Sequence, residues 1–269
     1  MDRISLSKKL EETTYLVHVI MNHEDHDPEL ISTGSAFCIN KLGFLMTAAH
    51  VVTGRTPIRQ EDVEDPSVEI GAKTKDGLFQ RYVPFLTGFG LNLPGYLKEP
   101  VIVDIAILKP LVPRENSNFL RLAKNKPDVG SEVLMAGFPD DMELPLSFDR
   151  FLNEEHEQVR SQKRNIELAK NLLMIRSGIV GHCSGLNLVE QNIDAWSLYI
   201  DNVLHSGASG GPIINGESEV IGVITERAVT SVSYKDTPGL KVPSGSTSAI
   251  SPNLGTGFLK HQGISIDVA

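Results

Sequence analysis

The chain has 269 residues, 41% of them hydrophobic, and is long enough to bury a full core in one or two domains. Its proportions of charged residues (22%), glycine and proline predict neither a disordered chain nor a fibre. The formal net charge of −9 argues against direct binding of nucleic acid, because proteins that bind it present a basic surface to the phosphates.

The sequence also bears on where the protein works. No segment approaches the roughly 18 consecutive apolar residues of a membrane-spanning helix, so we expect no membrane contact. Residues 1–10 lack the apolar region and the small-residue cleavage site of a secretory signal. Without such a signal, we expect Cys38 and Cys183 to be reduced, buried thiols rather than a disulfide. These features predict a cytoplasmic protein.

Hydrophobic periodicity along the chain is mostly of the strand type. Residues 14–21 (TYLVHVIM) form a β-branched run typical of a partly buried strand, and residues 32–39 and 44–48 flank a turn and predict a hairpin. Further strands are predicted at 101–108, 132–136, 174–180, 196–200, 212–215 and 220–225. Short strands separated by Gly, Pro and Asp turns indicate an all-β sandwich or barrel.

Two segments interrupt this pattern. Residues 60–100 are rich in turn-forming residues and are expected to hold long loops. Residues 151–173 predict a helix without Gly or Pro, in which an apolar residue recurs every seven positions among charged ones (Leu152, Val159, Ile166 and Leu173). We expect a domain boundary near 114–118, in the polar run between two strand-rich halves.

The string at 207–212, Gly-Ala-Ser-Gly-Gly-Pro, is the first of three that indicate a chemistry. Its glycines let the backbone turn sharply around Ser209, and the amides of Gly207 and Ser209 could bind the anion that develops on an acyl carbon under attack. A serine hydroxyl is a weak nucleophile and needs a neighbouring base. Alone, the string is equally compatible with a glycine-rich turn that contains an incidental serine.

The other two strings offer that base and its partner. His50 follows Thr-Ala-Ala at the end of the predicted 44–48 strand, and histidine is the natural general base because its unperturbed pKa lies closest to physiological pH. A lone histidine at a strand end is, however, more often structural. Asp104 lies in an otherwise apolar strand, where a buried carboxylate needs a hydrogen-bond donor such as an imidazole N–H. The aspartate would then fix the imidazole tautomer and stabilise the imidazolium.

Taken together, in the order His50, Asp104, Ser209, the three strings resemble the chymotrypsin-like (trypsin-fold) serine peptidases. The family patterns T-A-A-H, D-[IL]-A-[IL]-[LIV] and G-x-S-G-G-P are all matched, and the resemblance runs over nearly the whole chain. It is strongest for bacterial trypsin-like and Deg-type protease domains. Ala208 and Val51 stand where secreted digestive members carry an aspartate and a cysteine, which implies a protease made without proteolytic activation in a reducing compartment.

The resemblance implies an all-β fold of two packed six-stranded antiparallel barrels, with a helical insertion at about 151–173 in the second barrel and a short C-terminal helix. The first barrel is expected to span residues 1–115 and to supply His50 and Asp104. The second is expected to span 116–269 and to supply Ser209. The implied activity is that of a serine endopeptidase with an acyl-enzyme intermediate and an oxyanion hole formed by the amides of Gly207 and Ser209. It requires no metal or organic cofactor.

The resemblance also implies where the side chain before the cleaved bond, the P1 residue, binds. In the family this pocket is lined by the segment just before the serine and by the strand after it. Carried over, the lining residues are Val203, Leu204, His205, Ile224, Thr225 and Glu226. Since Val203 provides no carboxylate, we expect a small or medium apolar P1 residue rather than Lys or Arg.

The expected partners are protein or peptide substrates and a regulatory protein. A helix at 151–173 with so thin an apolar stripe cannot bury itself well. We therefore expect it to contact a partner or to dock on the barrel, with simple surface packing as the plainer alternative.

Three other interpretations stay open. Residues 207–211 also fit the nucleophile elbow of α/β-hydrolases, with Asp236 and His261 as partners, although the elbow must open a helix and the sequence that follows is typical of strands. Residues 23–27 (HEDHD) include competent metal ligands, but such a run is usually a solvated loop. A catalytically silent trypsin fold could act as a binding module.

Overall fold

The computed structural model describes residues 1–25, 27–54, 66–74, 78–114, 117–139, 172–190, 193–234 and 237–268. Most of these residues lie in antiparallel strands, which form two barrels in sequence order. Among the described residues, no helix is both long enough and apolar enough to span a membrane.

A helix, α1 (Arg3–Thr13), precedes the first barrel. It begins at Arg3 because the side chain of Asp2 accepts hydrogen bonds from the amides of Ile4 and Ser5, both at 3.0 Å. A hydrogen bond from the Ser5 hydroxyl, together with those from the Ser5 and Ile4 amides, lowers the pKa of the Asp2 carboxyl. Helix α1 buries Leu6, Leu10 and Thr13.

The first barrel consists of six strands and is closed in the order β1-β2-β3-β6-β5-β4. A short helix, α2 (Ala49–Thr53), follows the third strand. The strands are β1 (Thr14–Met21), β2 (Glu29–Cys38), β3 (Leu45–Thr47), β4 (Val68–Lys73), β5 (Phe79–Leu91) and β6 (Val101–Pro110).

The second barrel follows a short strand, β7 (Arg121–Leu122), which pairs in parallel with its last hairpin. Six strands run in the order β11-β8-β9-β10-β13-β12, and they close into a barrel because β11 also pairs with β12. The chain then forms helix α3 (Asn253–His261). The strands are β8 (Glu132–Gly137), β9 (Met174–Leu188), β10 (Ile193–Ile200), β11 (Pro212–Ile214), β12 (Glu219–Tyr234) and β13 (Thr237–Ile250).

One hydrophobic cluster joins the two barrels. It combines Met46 and Ile105 of the first barrel with Leu134 and Ile214 of the second, and it includes Leu10 of α1. Leu259 of α3 packs into the same cluster. Because burial of apolar surface is the main stabilising term, this shared cluster ties the two barrels and both terminal helices together.

The two-barrel fold and the short C-terminal helix are confirmed, and the α/β-hydrolase alternative is wrong because strand β11, not a helix, follows Ser209. The prediction of long loops over 60–100 is wrong where β4 and β5 lie. Helix α1 was not predicted. The expectation of two buried thiols holds for Cys38, whereas Cys183 is only half-buried; neither sulfur is in a disulfide.

Two further predictions are not decided by the fold. The predicted 151–173 helix falls almost wholly on residues 140–171, which lie outside the described residues. The division of the chain into domains at residue 115 stays a prediction.

Candidate active site

His50 and Asp104 meet because their strands are paired. Strand β3 runs antiparallel to β6 with Thr47 opposite Ala106, so the residues after the end of β3 lie beside the residues that precede Ala106. The Asp104 carboxylate accepts two hydrogen bonds from His50, one from the backbone N–H at 2.9 Å and one from Nδ1 at 2.7 Å. Since a carboxylate only accepts, Nδ1 carries a proton and the neutral imidazole keeps Nε2 as an acceptor.

The sequence predicted that His50 lies at the end of a strand. In the structure it lies instead in the first turn of α2. Both side chains are partly buried: His50 is 29% exposed and Asp104 19%. The Asp104 carboxylate orients the imidazole through Nδ1, and the partial exposure of His50 leaves Nε2 accessible. A histidine held in this way can take and return a proton.

The loop around Ser209, between β10 and β11, is held tightly between the two barrels. A Cβ atom at Gly210 would lie 2.1 Å from the backbone oxygen of Ser35 and from Oγ1 of Thr47, both in the first barrel. At Gly211, a Cβ atom would lie 2.1 Å from the backbone oxygen of Ala136 in the second barrel. The two glycines after the serine are therefore required by close approach of the backbone on both sides.

The Ser209 hydroxyl donates a hydrogen bond to the backbone oxygen of Thr225, at 3.2 Å. Within the described part of the chain, no hydrogen bond joins Ser209 to His50, although both side chains line the same cleft. Rotation of the serine side chain away from Thr225 is needed before the imidazole can accept its proton. Catalytic hydrogen bonds are often long or unformed before substrate binds.

The backbone on either side of Ala208 carries the two amides of interest, those of Gly207 and Ser209. Gly207 adopts a φ of +85°, in the left-handed region that favours glycine. The carbonyls of Gly207 and Ser209 both accept hydrogen bonds from Ser35, each at 2.8 Å. The amides of the same two residues have no acceptor among the described residues. Two unpaired N–H groups beside a serine hydroxyl are suited to stabilise a developing oxyanion.

The cleft has a volume of about 560 Å³. It is lined by residues from both barrels: His50, Ile102, Asp104, Leu204, His205, Ser206, Ala208, Ser209, Ile224, Thr225, Glu226, Thr247, Ser248 and Ile250. Val203, which the sequence grouped with these residues, is not among them, and its carbonyl accepts a hydrogen bond from Arg176 at 3.0 Å. The lining residues of β13 (Thr247, Ser248 and Ile250) were missed from the sequence.

The cleft wall combines apolar and polar side chains. Leu204 and Ile224 are apolar and almost fully buried, so they present carbon rather than charge to the cleft. The Thr247 hydroxyl donates to the backbone oxygen of Asn202 at 2.8 Å and accepts from the amide of Leu204 at 3.3 Å. The charged Glu226 is exposed at the edge of the cleft. The part of the cleft lined by Leu204 and Ile224 is therefore suited to an uncharged side chain.

Metal ligation was considered for residues 23–27. Within the described residues, no three His, Cys, Asp or Glu side chains are grouped so that they could hold a metal ion. His26 lies outside the described residues, and Nε2 of His23 lies 3.5 Å from the Glu29 carboxylate.

A comparison with models of protein families agrees with the fold. A sequence model of the trypsin-like peptidase domain family (Trypsin_2) matches residues 34–223. This segment is well over half of the chain, and it contains His50, Asp104 and Ser209. The comparison with curated proteins gave no match. Given the extent of this match and the two antiparallel barrels, the chain belongs to the trypsin-like peptidase domain family.

Proposed function

We propose that the protein is a serine endopeptidase with Ser209 as nucleophile, His50 as general base and acid, and Asp104 as the residue that orients His50. The observation that carries this proposal is the pair of hydrogen bonds from His50 to the Asp104 carboxylate, in the cleft that Ser209 also lines. Membership of a peptidase family supports hydrolysis of peptide bonds as the reaction.

In the proposed mechanism, Ser209 Oγ attacks the carbonyl carbon of the substrate while His50 Nε2 takes its proton. The amides of Gly207 and Ser209 bind the oxyanion of the tetrahedral intermediate. The C–N bond then breaks, and His50 gives the proton to the leaving amine, which leaves an acyl-enzyme on Ser209. Water, activated by His50, attacks the ester, and Ser209 regains its proton as the carboxylic acid leaves.

We propose a preference for a small or medium apolar P1 residue. The buried side chains of Leu204 and Ile224 support it, since neither would compensate a buried Lys or Arg charge. His205, Thr225 and Glu226 are proposed to contact the substrate nearer the cleft opening. Cleavage of a random peptide library, read by mass spectrometry, should show enrichment of Ala, Val or Leu at P1. Dominant cleavage after Lys or Arg would overturn this preference.

We also propose that a partner protein regulates the enzyme. The enzyme itself is proposed to act in the cytoplasm, as expected from the sequence. A second candidate is a latent or silent trypsin fold that serves as an interaction module. The hydrogen bond from the Ser209 hydroxyl to Thr225, in place of one to His50, favours this candidate.

Labelling with a serine-reactive fluorophosphonate separates the two candidates. The endopeptidase hypothesis predicts stoichiometric labelling that Ser209→Ala abolishes, with loss of nearly all peptidase activity in Ser209→Ala and His50→Ala. Because the triad acts as a unit, the double variant should be little worse than either single one. Ser184→Ala, which removes an exposed hydroxyl in β9 that does not line the cleft, is the control and should label normally. An unlabelled wild-type protein would instead support the interaction module.

A further inference from the structure

Ser35 connects the first barrel to the loop that holds the nucleophile. It lies in β2 and is fully buried. Its hydroxyl donates a hydrogen bond to the backbone oxygen of Gly207 at 2.8 Å and accepts one from the backbone N–H of Phe138 at 2.8 Å. One side chain thus bridges two backbone groups of the second barrel that are not bonded to each other.

The backbone of Ser35 adds two further contacts. Its N–H donates to the carbonyl of Ser209 at 2.8 Å, and its carbonyl accepts from the Thr47 hydroxyl at 2.7 Å. The carbonyls of both residues proposed to form the oxyanion hole, Gly207 and Ser209, are therefore bound to this one residue. The Ser209 contact uses only backbone atoms, so Ser35→Ala keeps it. The Gly207 contact depends on the hydroxyl.

Gly207 is the member of the loop that most needs such a restraint. It has no side chain to limit its dihedral angles, and its φ of +85° is only one of the conformations open to glycine. If its carbonyl lost the Ser35 hydroxyl, a buried acceptor would be left unpaired, and rotation of the peptide would be the simplest way to satisfy it. That rotation would change ψ of Gly207 and φ of Ala208, and with them the relative direction of the Gly207 and Ser209 amides.

We propose that Ser35 is a positioning residue for the oxyanion hole: its hydroxyl holds the Gly207 carbonyl and thereby keeps the amides of Gly207 and Ser209 directed at the reacting carbonyl. This inference rests on the proposed endopeptidase function. Ser35 touches neither substrate nor nucleophile with its side chain. It acts through the backbone that it holds.

The first test is the kinetics of Ser35→Ala. Removing an oxyanion donor typically lowers turnover about 10²–10³-fold, and a misdirected donor should cost part of this, so we expect kcat to fall about tenfold to a hundredfold. KM should change less than about twofold, because the substrate-binding walls are untouched. Active-site titration with a fluorophosphonate corrects for any unfolded fraction. Ser35→Thr, which keeps the hydroxyl, should recover most of the lost kcat.

Ser251→Ala is the matched control. Ser251 is also fully buried, its hydroxyl accepts a hydrogen bond from the Asn253 amide at 3.2 Å, and its side chain does not line the cleft. The same buried atom is removed, so some loss of stability is expected with no change in kcat per active site. An equal fall of kcat in both variants would overturn the inference, since it would reflect general loosening of the fold.

Inhibitor affinity is a measurement that would not change selectively if Ser35 had only a structural role. A peptidyl trifluoromethyl ketone forms a tetrahedral adduct with an oxyanion, so its affinity for Ser35→Ala should fall by the same factor as kcat/KM. The corresponding peptide acid, a product that forms no oxyanion, should bind both proteins equally. Equal losses for both inhibitors would contradict a role at the oxyanion hole.

Three further outcomes are a Ser35→Ala variant that does not fold, an inactive wild type, and variants with unchanged kcat. If Ser35→Ala does not fold, Ser35→Cys repeats the test, because a thiol occupies a similar volume but is a weak hydrogen-bond donor. If the wild-type protein neither cleaves peptides nor reacts with the fluorophosphonate, the endopeptidase function fails and this inference fails with it. An active wild type with unchanged kcat in the Ser35 variants would overturn the inference alone.

Discussion

Gly210 combines a positive φ with overlap between a Cβ atom and the surrounding backbone. Its φ is +83°, and a Cβ atom there would overlap the Ser35 carbonyl and the Thr47 hydroxyl. We predict that Gly210→Ala destabilises the fold by more than about 3 kcal/mol, since strain and overlap add. Urea denaturation measures this loss. Gly130→Ala is the control, because Gly130 has a φ of +92° but nothing within 4 Å of its Cβ position. It should lose only about 1–2 kcal/mol, and equal losses would contradict the role of close approach.

The two cysteines differ in reactivity. Burial raises the pKa of the Cys38 thiol from 9.0 to about 11, and it also raises the pKa of Cys183, which is only half-buried. We predict that iodoacetamide modifies Cys183 first and leaves Cys38 unmodified until the protein unfolds, because the thiolate is the nucleophile. Mass spectrometry of native and urea-treated protein resolves the two sites. Rapid modification of Cys38 in the native protein would contradict this order.

The raised pKa of Cys38 also gives a pH dependence. The unfolded chain loses the thiol proton near pH 9, whereas the folded chain keeps it until about pH 11. This group therefore leaves stability unchanged below pH 9 and lowers it as the pH rises from 9 to 11. Cys38→Ser, compared with the parent over this range, isolates the contribution.

At the residue scale, the sequence predicts the role of a residue when that residue lies in a short contiguous motif. His50, Asp104 and Ser209 each lie in such a string, and their proposed roles follow from known side-chain chemistry. Ser35 could not be assigned a role in this way. Its partner Gly207 is 172 residues away, and no local pattern encodes a contact that exists only after two barrels have packed.

At the element scale, the composition of strand β5 explains why it was missed. Strand β5 contains Pro84 and two glycines, and its pairing with β6 is irregular between Pro84 and Leu86 and between Thr87 and Phe89. Irregularities of this kind interrupt the alternation of apolar and polar residues on which strand prediction depends. Tertiary pairing with two neighbours forms the strand despite its weak local preference.

Helix α1 was missed for a related reason, and it yields a prediction. It buries only Leu6, Leu10 and Thr13, which is too few residues to produce a clear helical periodicity. Leu10 is fully buried in the cluster between the barrels, so Leu10→Ala should cost about 2–5 kcal/mol in urea denaturation. Ile4→Ala, on the exposed side of the same helix at 71% exposure, should change stability by less than about 0.5 kcal/mol. Similar effects of the two variants would show that α1 contributes little to the core.

At the scale of the whole molecule, the candidate site depends on how the barrels are joined. His50 and Asp104 belong to the first barrel and Ser209 to the second, so the three side chains meet only when both are packed. Strand periodicity alone indicated a sandwich or a barrel, and the two-barrel arrangement came from the resemblance to a family. The reason is physical: closure of a barrel depends on pairing between distant strands, which periodicity does not specify.

The shared cluster predicts that the two barrels unfold together. Residues of both barrels are buried in this one cluster, so opening one barrel exposes the part of the cluster that the other contributes. Trp196, the single tryptophan, is buried in the second barrel and donates a hydrogen bond to the Ile221 carbonyl at 2.6 Å, so its fluorescence reports that barrel. Pulsed alkylation of the buried Cys38 reports the first barrel.

We predict that the two probes give the same urea midpoint, and that Leu10→Ala shifts both midpoints downward together, because Leu10 packs in the shared cluster. A cluster that merely touched both barrels without coupling them would give two separate midpoints. In that case Leu10→Ala would move one probe and leave the other in place, and each barrel would then be an independent folding unit as the division near residue 115 implies. A common midpoint would mean that the cleft between the barrels forms and is lost in one step with the fold itself.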